Sequence, residues 1–230
     1  MKIIRIKPLH IQKNSRYLGA PISFMSPRQQ SWKKSNVQVF WGEVAHCSHV
    51  VQIYQNDDVL LNTLEGFVST GILGRECVIV AATAFHLANL EARLVVQGFN
   101  LEMLKAEDRL ILIDAEKGLA EFMVDGLPDA QLFRDLSSVV MNRALATGRK
   151  IRAFGEMVGV LVAQGNSEAA IEIEHFWNEI HDKSSSIFCA YKASSFPRDA
   201  DQTIDSICKA HTRLIDGYPR PATVMYHRPV

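Results

Sequence analysis

Apolar positions recur in two rhythms from residue 49 onward, short runs suited to strands and longer stretches with helical spacing, and the two alternate along the chain. His49-Val-Val-Gln-Ile-Tyr54 has the β-branched and aromatic make-up of a strand. Asn56 and Asp57 then offer caps for a helix whose Leu60, Leu64, Phe67 and Val68 form one apolar face ending near Gly71. Cys77 to Ala82 is a continuous apolar run, the signature of a central parallel strand covered on both faces. Thr83 caps the next helix, in which Leu87, Leu90 and Leu94 recur until Gly98 stops it. The alternation continues with strands over 109–114, 151–154 and 186–191 and helices over 130–147, 167–181 and 201–214. Strands and helices in this order predict a three-layer α/β/α sandwich around a mostly parallel sheet.

Composition leaves that picture intact and adds an asymmetry. At 230 residues, 47% hydrophobic and 22% charged, the chain suits one α/β core. The net charge is zero, yet residues 1–36 carry eight Lys/Arg and no acid, so the remainder sums to minus eight. The expected organisation is a basic, poorly ordered leader over 1–42, a folded domain over 43–216 and a tail over 217–230 holding Pro219, Pro221 and Pro229. The leader has no DNA-reading module and few aromatics, which argues against nucleic acid as a partner. It lacks the apolar core of a secretory signal, and no stretch reaches the ~18 apolar residues of a membrane span, so a cytoplasmic protein is expected. Cys47, Cys77, Cys189 and Cys208 have no C-x-x-C spacing and read as reduced thiols.

The segment from Gly71 to Leu90 passes from a turn through a buried strand into a helix, the scaffold of a phosphate-binding loop. The residues that grip phosphate are missing, because between Val80 and Leu90 there is neither glycine nor lysine. Asp114 ends an apolar strand as a Mg²⁺-holding aspartate would, but without a phosphate loop it reads as a strand-end cap. Arg152 and Glu156 flank the carboxyl end of a predicted strand, where open α/β sheets place their ligand crevice. There a Glu can act as a base and an Arg can clamp an anion, although the same pair also fits a strand-end salt bridge or a helix-start acid. His46, Cys47 and His49 lie close together, and His175 and His181 share a predicted helix, but neither group has an established zinc spacing. No metal ligand, cofactor or catalytic triad is therefore expected. Ser184 to Ser186 reads as a loop, and Cys189 sits inside an apolar strand where a thiol is inert.

Taken in order, His49-x-x-x-x-Tyr54, Gly71-Ile-Leu-Gly-Arg-Glu76, Phe122-Met-Val-Asp-Gly-Leu-Pro-Asp129, Arg152-Ala-Phe-Gly-Glu-Met157, Glu174-x-x-Trp-Asn178, Phe188-Cys-Ala-Tyr191 and His211 resemble the methanogen/methylotroph, DcmR sensory (MEDS) domains. The resemblance runs over residues 45–215. It implies a relative of the RecA and KaiC fold whose P-loop has decayed, serving bacterial and archaeal signalling proteins as a sensor of small organic ligands, hydrocarbon derivatives among them. Members are typically fused to histidine kinases or DNA-binding regulators. No such output segment is recognisable here, so the expected partner is a histidine kinase or transcriptional regulator in trans, and the chain can self-associate as RecA-like relatives often do.

The sequence reading is thus a non-enzymatic, bacterial sensory domain binding a small organic ligand at the carboxyl ends of its strands. His49, Tyr54, Thr83, Phe85, Arg152 and Glu156 are the candidate contacts. The alternatives are a residual nucleotide-binding ATPase, with Glu156 as base and Asp114 as metal ligand, and a purely structural adaptor.

Overall fold

The computed structural model describes Trp41 and residues 49–180, 185–215 and 225–227. The basic residues of the leader, His46, Cys47, His181, Ser184 and the tail prolines lie outside the described residues. The elements run β1 (His49–Tyr54), α1 (Asp57–Leu73), β2 (Cys77–Ala82), α2 (Ala84–Val96), α3 (Leu101–Ala106), β3 (Leu110–Asp114), α4 (Ala115–Ala120), β4 (Met123–Val124), β5 (Leu127–Pro128), α5 (Ala130–Leu145), β6 (Ile151–Gly155), α6 (Met157–Ala163), α7 (Ser167–Ile180), β7 (Ser185–Lys192), α8 (Asp201–Ala210), β8 (Arg213–Ile215) and β9 (Met225–His227). The main sheet has the order β3-β2-β6-β7-β1-β8-β9. Its strands are parallel except for β9, which runs antiparallel to β8.

Strand alternation divides the core into two layers. Val78, Val80 and Ala82 of β2 pack with Leu60, Leu64 and Phe67 of α1 and Leu90 and Leu94 of α2. Ala81, one position out of phase, faces α4 to α8 together with Val51, Ile187, Cys189 and Tyr191. Every residue of β2 is buried, as its continuous apolar run predicts. The caps also fall where the sequence puts them. Asn56 accepts from the Val59 N–H at 3.1 Å, Thr83 from the His86 N–H at 3.4 Å, and Asp114 from the N–H groups of Glu116 and Lys117. Among the described residues no helix is long and apolar enough to cross a membrane.

The expected final helix over 201–214 stops at Ala210. Beyond it, Arg213–Ile215 pairs with β1, and the Thr212 N–H donates to the His49 carbonyl at 2.8 Å. The backbone groups on that side of β1 need partners, and this demand outweighs the helical continuation. A β4–β5 hairpin, unforeseen in the hydrophobic pattern, turns through Asp125 and Gly126, both at positive φ (50° and 84°), as a primed two-residue turn requires.

The expected turn through Gly71 and Gly74 is also revised. Gly71 is helical and buried inside α1, and the reversal passes through Gly74 and Arg75, the latter at φ 59°. Gly71 is needed for a different reason. A Cβ there would stand 2.7 Å from Val78 Cγ2 and 2.8 Å from Arg152 Cδ. The Arg152 side chain fills that space, buried to 1% exposure. Its Nε donates to the Glu76 carboxylate, its Nη1 to the Phe67 carbonyl at 3.3 Å, and its guanidinium lies 5.0 Å from the Phe67 ring centroid. Gly71→Ala should therefore destabilise the protein by about 1–3 kcal/mol through overpacking. Glu76→Ala, which strands a buried guanidinium, should cost about 3–5 kcal/mol. Both are read as a lower denaturation midpoint at unchanged m value.

Candidate functional site

The strand-to-helix connections at the carboxyl end of the sheet are very short. Gln55 and Asn56 join β1 to α1, Thr83 alone joins β2 to α2, and Glu156 alone joins β6 to α6. A phosphate loop needs a glycine-rich turn of several residues between strand and helix, and none of these connections has the length or the glycine. The Gly74–Arg75 reversal cannot supply it, since it precedes β2 and lies at the opposite end of that strand from the start of α2.

Helices leave neighbouring strands towards opposite faces at two places here, the arrangement that opens a crevice in α/β sheets. Side chains of the chain itself bridge both. Between β2 and β6, Glu156 Oε2 accepts from the Thr83 N–H at 2.9 Å, and its Oε1 lies 2.7 Å from His86 Nδ1. Between β1 and β7, Lys192 Nζ donates to Asp57 Oδ1 at 2.9 Å. His86 Nε2, 3.5 Å from the same Asp57 oxygen, links the two. Burial first, then the charges of Glu156 and Asp57, push the nearby Tyr54 phenol far above its ordinary range. The hydrogen bond from Lys192 holds the Asp57 carboxyl below its usual value, and His86 adds to this. The result is two hydrogen-bonded groups, Lys192–Asp57 and His86–Glu156–Thr83, brought together by the 3.5 Å approach of His86 Nε2 to Asp57.

The six residues expected to form one ligand site are therefore dispersed. Tyr54, Thr83 and Glu156 do converge, joined by His86. Phe85 is largely exposed beside the His86 ring, with centroids 5.3 Å apart. Arg152, the second residue of β6, is enclosed with Glu76 and Phe67. His49 begins β1 whereas Tyr54 ends it, which separates the two by about 16 Å at 3.3 Å per residue. Asp114 is a helix cap.

His49 belongs to a second buried cluster on the other face of the sheet, beneath α7 and the end of α8. Glu174 of α7 has no exposed surface. Its Oε1 accepts from the Tyr191 hydroxyl at 2.5 Å. Its Oε2 lies 3.2 Å from His49 Nε2, 3.3 Å from His211 Nε2 and 3.4 Å from Cys189 Sγ. The four donor atoms, one per residue, lie within 4.8 Å of one another, and all four residues are buried. Burial opposes ionisation of Glu174, but the neighbouring His211 and His49 outweigh it and hold the carboxyl far below its ordinary value. Burial opposes protonation of His211 as well, yet Glu174 prevails and raises it. Burial and then Glu174 push the Cys189 thiol and the Tyr191 phenol well up. Sequence spacing hides this group, because the ligand-type residues sit on β1, α7, β7 and the segment before β8. All four nonetheless lie in stretches that carry the family resemblance.

A third feature is a cavity of about 50 Å³ between β2, β3, β6 and α5, lined by Ile79, Ala81, Phe122, Phe133, Met157 and Trp177 among others. Ser137 is the one lining residue with a polar side chain apart from the Trp177 indole N–H. The overlying α5 buries only Phe133 and Ala144.

A parallel sheet between two helical layers is the architecture of a RecA/KaiC-like α/β fold. A KaiC-like protein of the hyperthermophilic archaeon Pyrococcus horikoshii OT3 superposes with a TM-score of 0.50 at 12% identity, covering 79% of this chain and 78% of its own. Another P. horikoshii OT3 protein, known from a structural study, gives a TM-score of 0.52 at 9% identity over 83% of this chain and 91% of its own. At these identities the likeness speaks for the fold alone. The model of the MEDS family, the methanogen/methylotroph, DcmR sensory domain, matches residues 48–212, and the chain belongs to that family. No curated protein matches it.

The carboxyl-end network makes a direct prediction. His86→Ala removes a charge-assisted partner of Glu156 and should cost about 1.5–3 kcal/mol. In a double-mutant cycle with Glu156→Gln, the two substitutions should couple by about 0.5–3 kcal/mol in denaturation experiments.

Proposed function

We propose that the protein is a non-enzymatic sensory domain that takes a small apolar organic molecule into the cavity beneath α5 and signals its occupancy to a histidine kinase or transcriptional regulator in trans. Membership of the MEDS family supports the sensory role. The observation that carries the ligand class is the hydrocarbon lining of the cavity. A volume of about 50 Å³ accommodates a molecule of a few heavy atoms, since a single water needs roughly 10–15 Å³ on this measure. Phe122, Phe133 and Trp177 offer dispersion contacts, and Ser137 offers one hydroxyl to orient a polar end. Ligand contacts with α5, whose own burial is slight, would shift that helix between two populations and alter the surface a partner reads.

The ATPase alternative is disfavoured at the same level of chemistry. A triphosphate at the carboxyl ends would meet the carboxylates of Asp57 and Glu156 and no glycine-rich loop.

A thermal-shift screen tests the proposal with short-chain alcohols, halogenated methanes and Mg²⁺-ATP as probes. One or more organics should raise the melting temperature, Mg²⁺-ATP should not, and Ser137→Phe, which fills the cavity, should abolish the shift while the protein stays folded. Stabilisation by Mg²⁺-ATP with hydrolysis lost in Glu156→Gln would instead establish the nucleotide reading.

A further inference from the structure

Hydrogen bonds around the buried cluster on the second face fix the orientation of both imidazoles. Asn178 Nδ2 donates to the Ala210 carbonyl at 3.1 Å, which turns Asn178 Oδ1 towards His49 Nδ1 at 3.0 Å. That oxygen only accepts, so Nδ1 of His49 carries the proton. His211 Nδ1 lies 2.7 Å from the Ile207 carbonyl, which also only accepts, so Nδ1 of His211 carries the proton as well. In the neutral rings both Nε2 lone pairs then face Glu174 Oε2, itself a pure acceptor, and that of His49 also meets the Cys189 thiol at 3.4 Å. His211 Nε2 is buried without a hydrogen bond. Tyr191 occupies the other Glu174 oxygen and leaves Oε2 facing the imidazoles and the Cys189 sulfur. Such an arrangement calls for positive charge, which a proton on His211, favoured by Glu174, or a bound cation can supply.

We propose that His49 Nε2, Glu174 Oε2, Cys189 Sγ and His211 Nε2 form a closed, four-coordinate site for Zn²⁺. A tetrahedral ion with bonds of 2.0–2.3 Å places its donors roughly 3.3–3.8 Å apart. Four of the six separations, 3.2 and 3.3 Å between the imidazoles and Oε2 and 3.4 Å from Cys189 Sγ to both Oε2 and His49 Nε2, match those edges within a few tenths of an ångström, and the other two, from His211 Nε2 to His49 Nε2 and to Cys189 Sγ, are within 4.8 Å and close by side-chain adjustment. Two imidazoles, a thiolate and a carboxylate oxygen are a zinc donor set, too nitrogen- and sulfur-rich for Mg²⁺ or Ca²⁺. Asn178 and the Ile207 carbonyl provide the outer hydrogen bonds that orient ligating histidines. Binding replaces the Cys189 thiol proton, which leaves to solvent, with a sulfur–metal bond. With all four positions taken by buried protein atoms, the ion is structural. It fastens the segment after α8 to β1, β7 and α7. The inference goes beyond the sensory reading and stands whether or not an organic ligand binds beneath α5.

The test is metal analysis of the full chain purified with Zn²⁺ and dialysed, together with Co²⁺ substitution. Equimolar zinc is expected, as are the visible bands of tetrahedral Co²⁺ with a thiolate-to-cobalt charge-transfer band in the near ultraviolet. Cys189→Ser should lose the charge-transfer band and Cys208→Ser should keep it. Asn178→Ala should weaken metal binding roughly 10–100-fold. Should Cys189→Ser fail to fold, Cys77→Ser and Cys47→Ser serve in its place, since both must keep the band if Cys189 is its source. A metal-poor wild type with no cobalt spectrum would overturn the proposal, as would an octahedral spectrum, or a charge-transfer band that survives Cys189→Ser or vanishes in any other cysteine variant.

Discussion

A carboxylate with no access to water is the constraint around which the second face of the domain is arranged. Glu174 is fully enclosed on α7, and such a charge persists only if neighbours surround it with donors or with positive charge. Those neighbours come from widely separated parts of the chain: His49 from the start of β1, Cys189 and Tyr191 from β7, and His211 from the turn before β8. Meeting the needs of one carboxylate thereby fixes where α7 sits over the sheet and where α8 must end. His211 would leave the cluster if the helix ran on to Leu214, and β8 would lose its place beside β1.

The short connections at the other end of the sheet have an equally definite consequence. With one or two residues between strand and helix, the carboxyl ends of β1, β2 and β6 are spanned by side chains of the protein itself. Glu156 is held by the Thr83 N–H and His86, and Asp57 is held by Lys192, so these groups brace the mouth of the crevice. Strand β1 runs between the two polar clusters, with Tyr54 at one end and His49 at the other. In the proposed reading the guest then lies in the apolar cavity under α5.

Much of this scaffold is legible in the sequence for local reasons. The apolar run Cys77 to Ala82 announces a strand buried on both sides, and Asn56, Thr83 and Asp114 mark helix starts through hydrogen bonds that reach only two or three residues ahead. What the sequence conceals depends on distant partners. Arg152 looks like a crevice residue until Glu76 and Phe67 are seen to enclose it, and Gly71 looks like a turn residue until Arg152 is seen to pass beside it. His86, inside a helix and with no motif around it, acquires a role only through Glu156, 70 positions away. The cluster around Glu174 escapes for the same reason, since zinc spacings that can be read from sequence come from ligands close together in the chain, and here His49 and Cys189 are 140 positions apart. The end of the last helix was misjudged because its apolar positions fit a helix as well as a short edge strand, and only the unpaired side of β1 decides between them.

Diffraction from crystals of the protein recorded on both sides of the zinc absorption edge addresses the central claim directly. The account predicts one anomalous peak beneath α7, about 2.0–2.3 Å from His49 Nε2, Glu174 Oε2, Cys189 Sγ and His211 Nε2. A featureless map at that position, with the Cys189 thiol still hydrogen-bonded to Glu174, would contradict it.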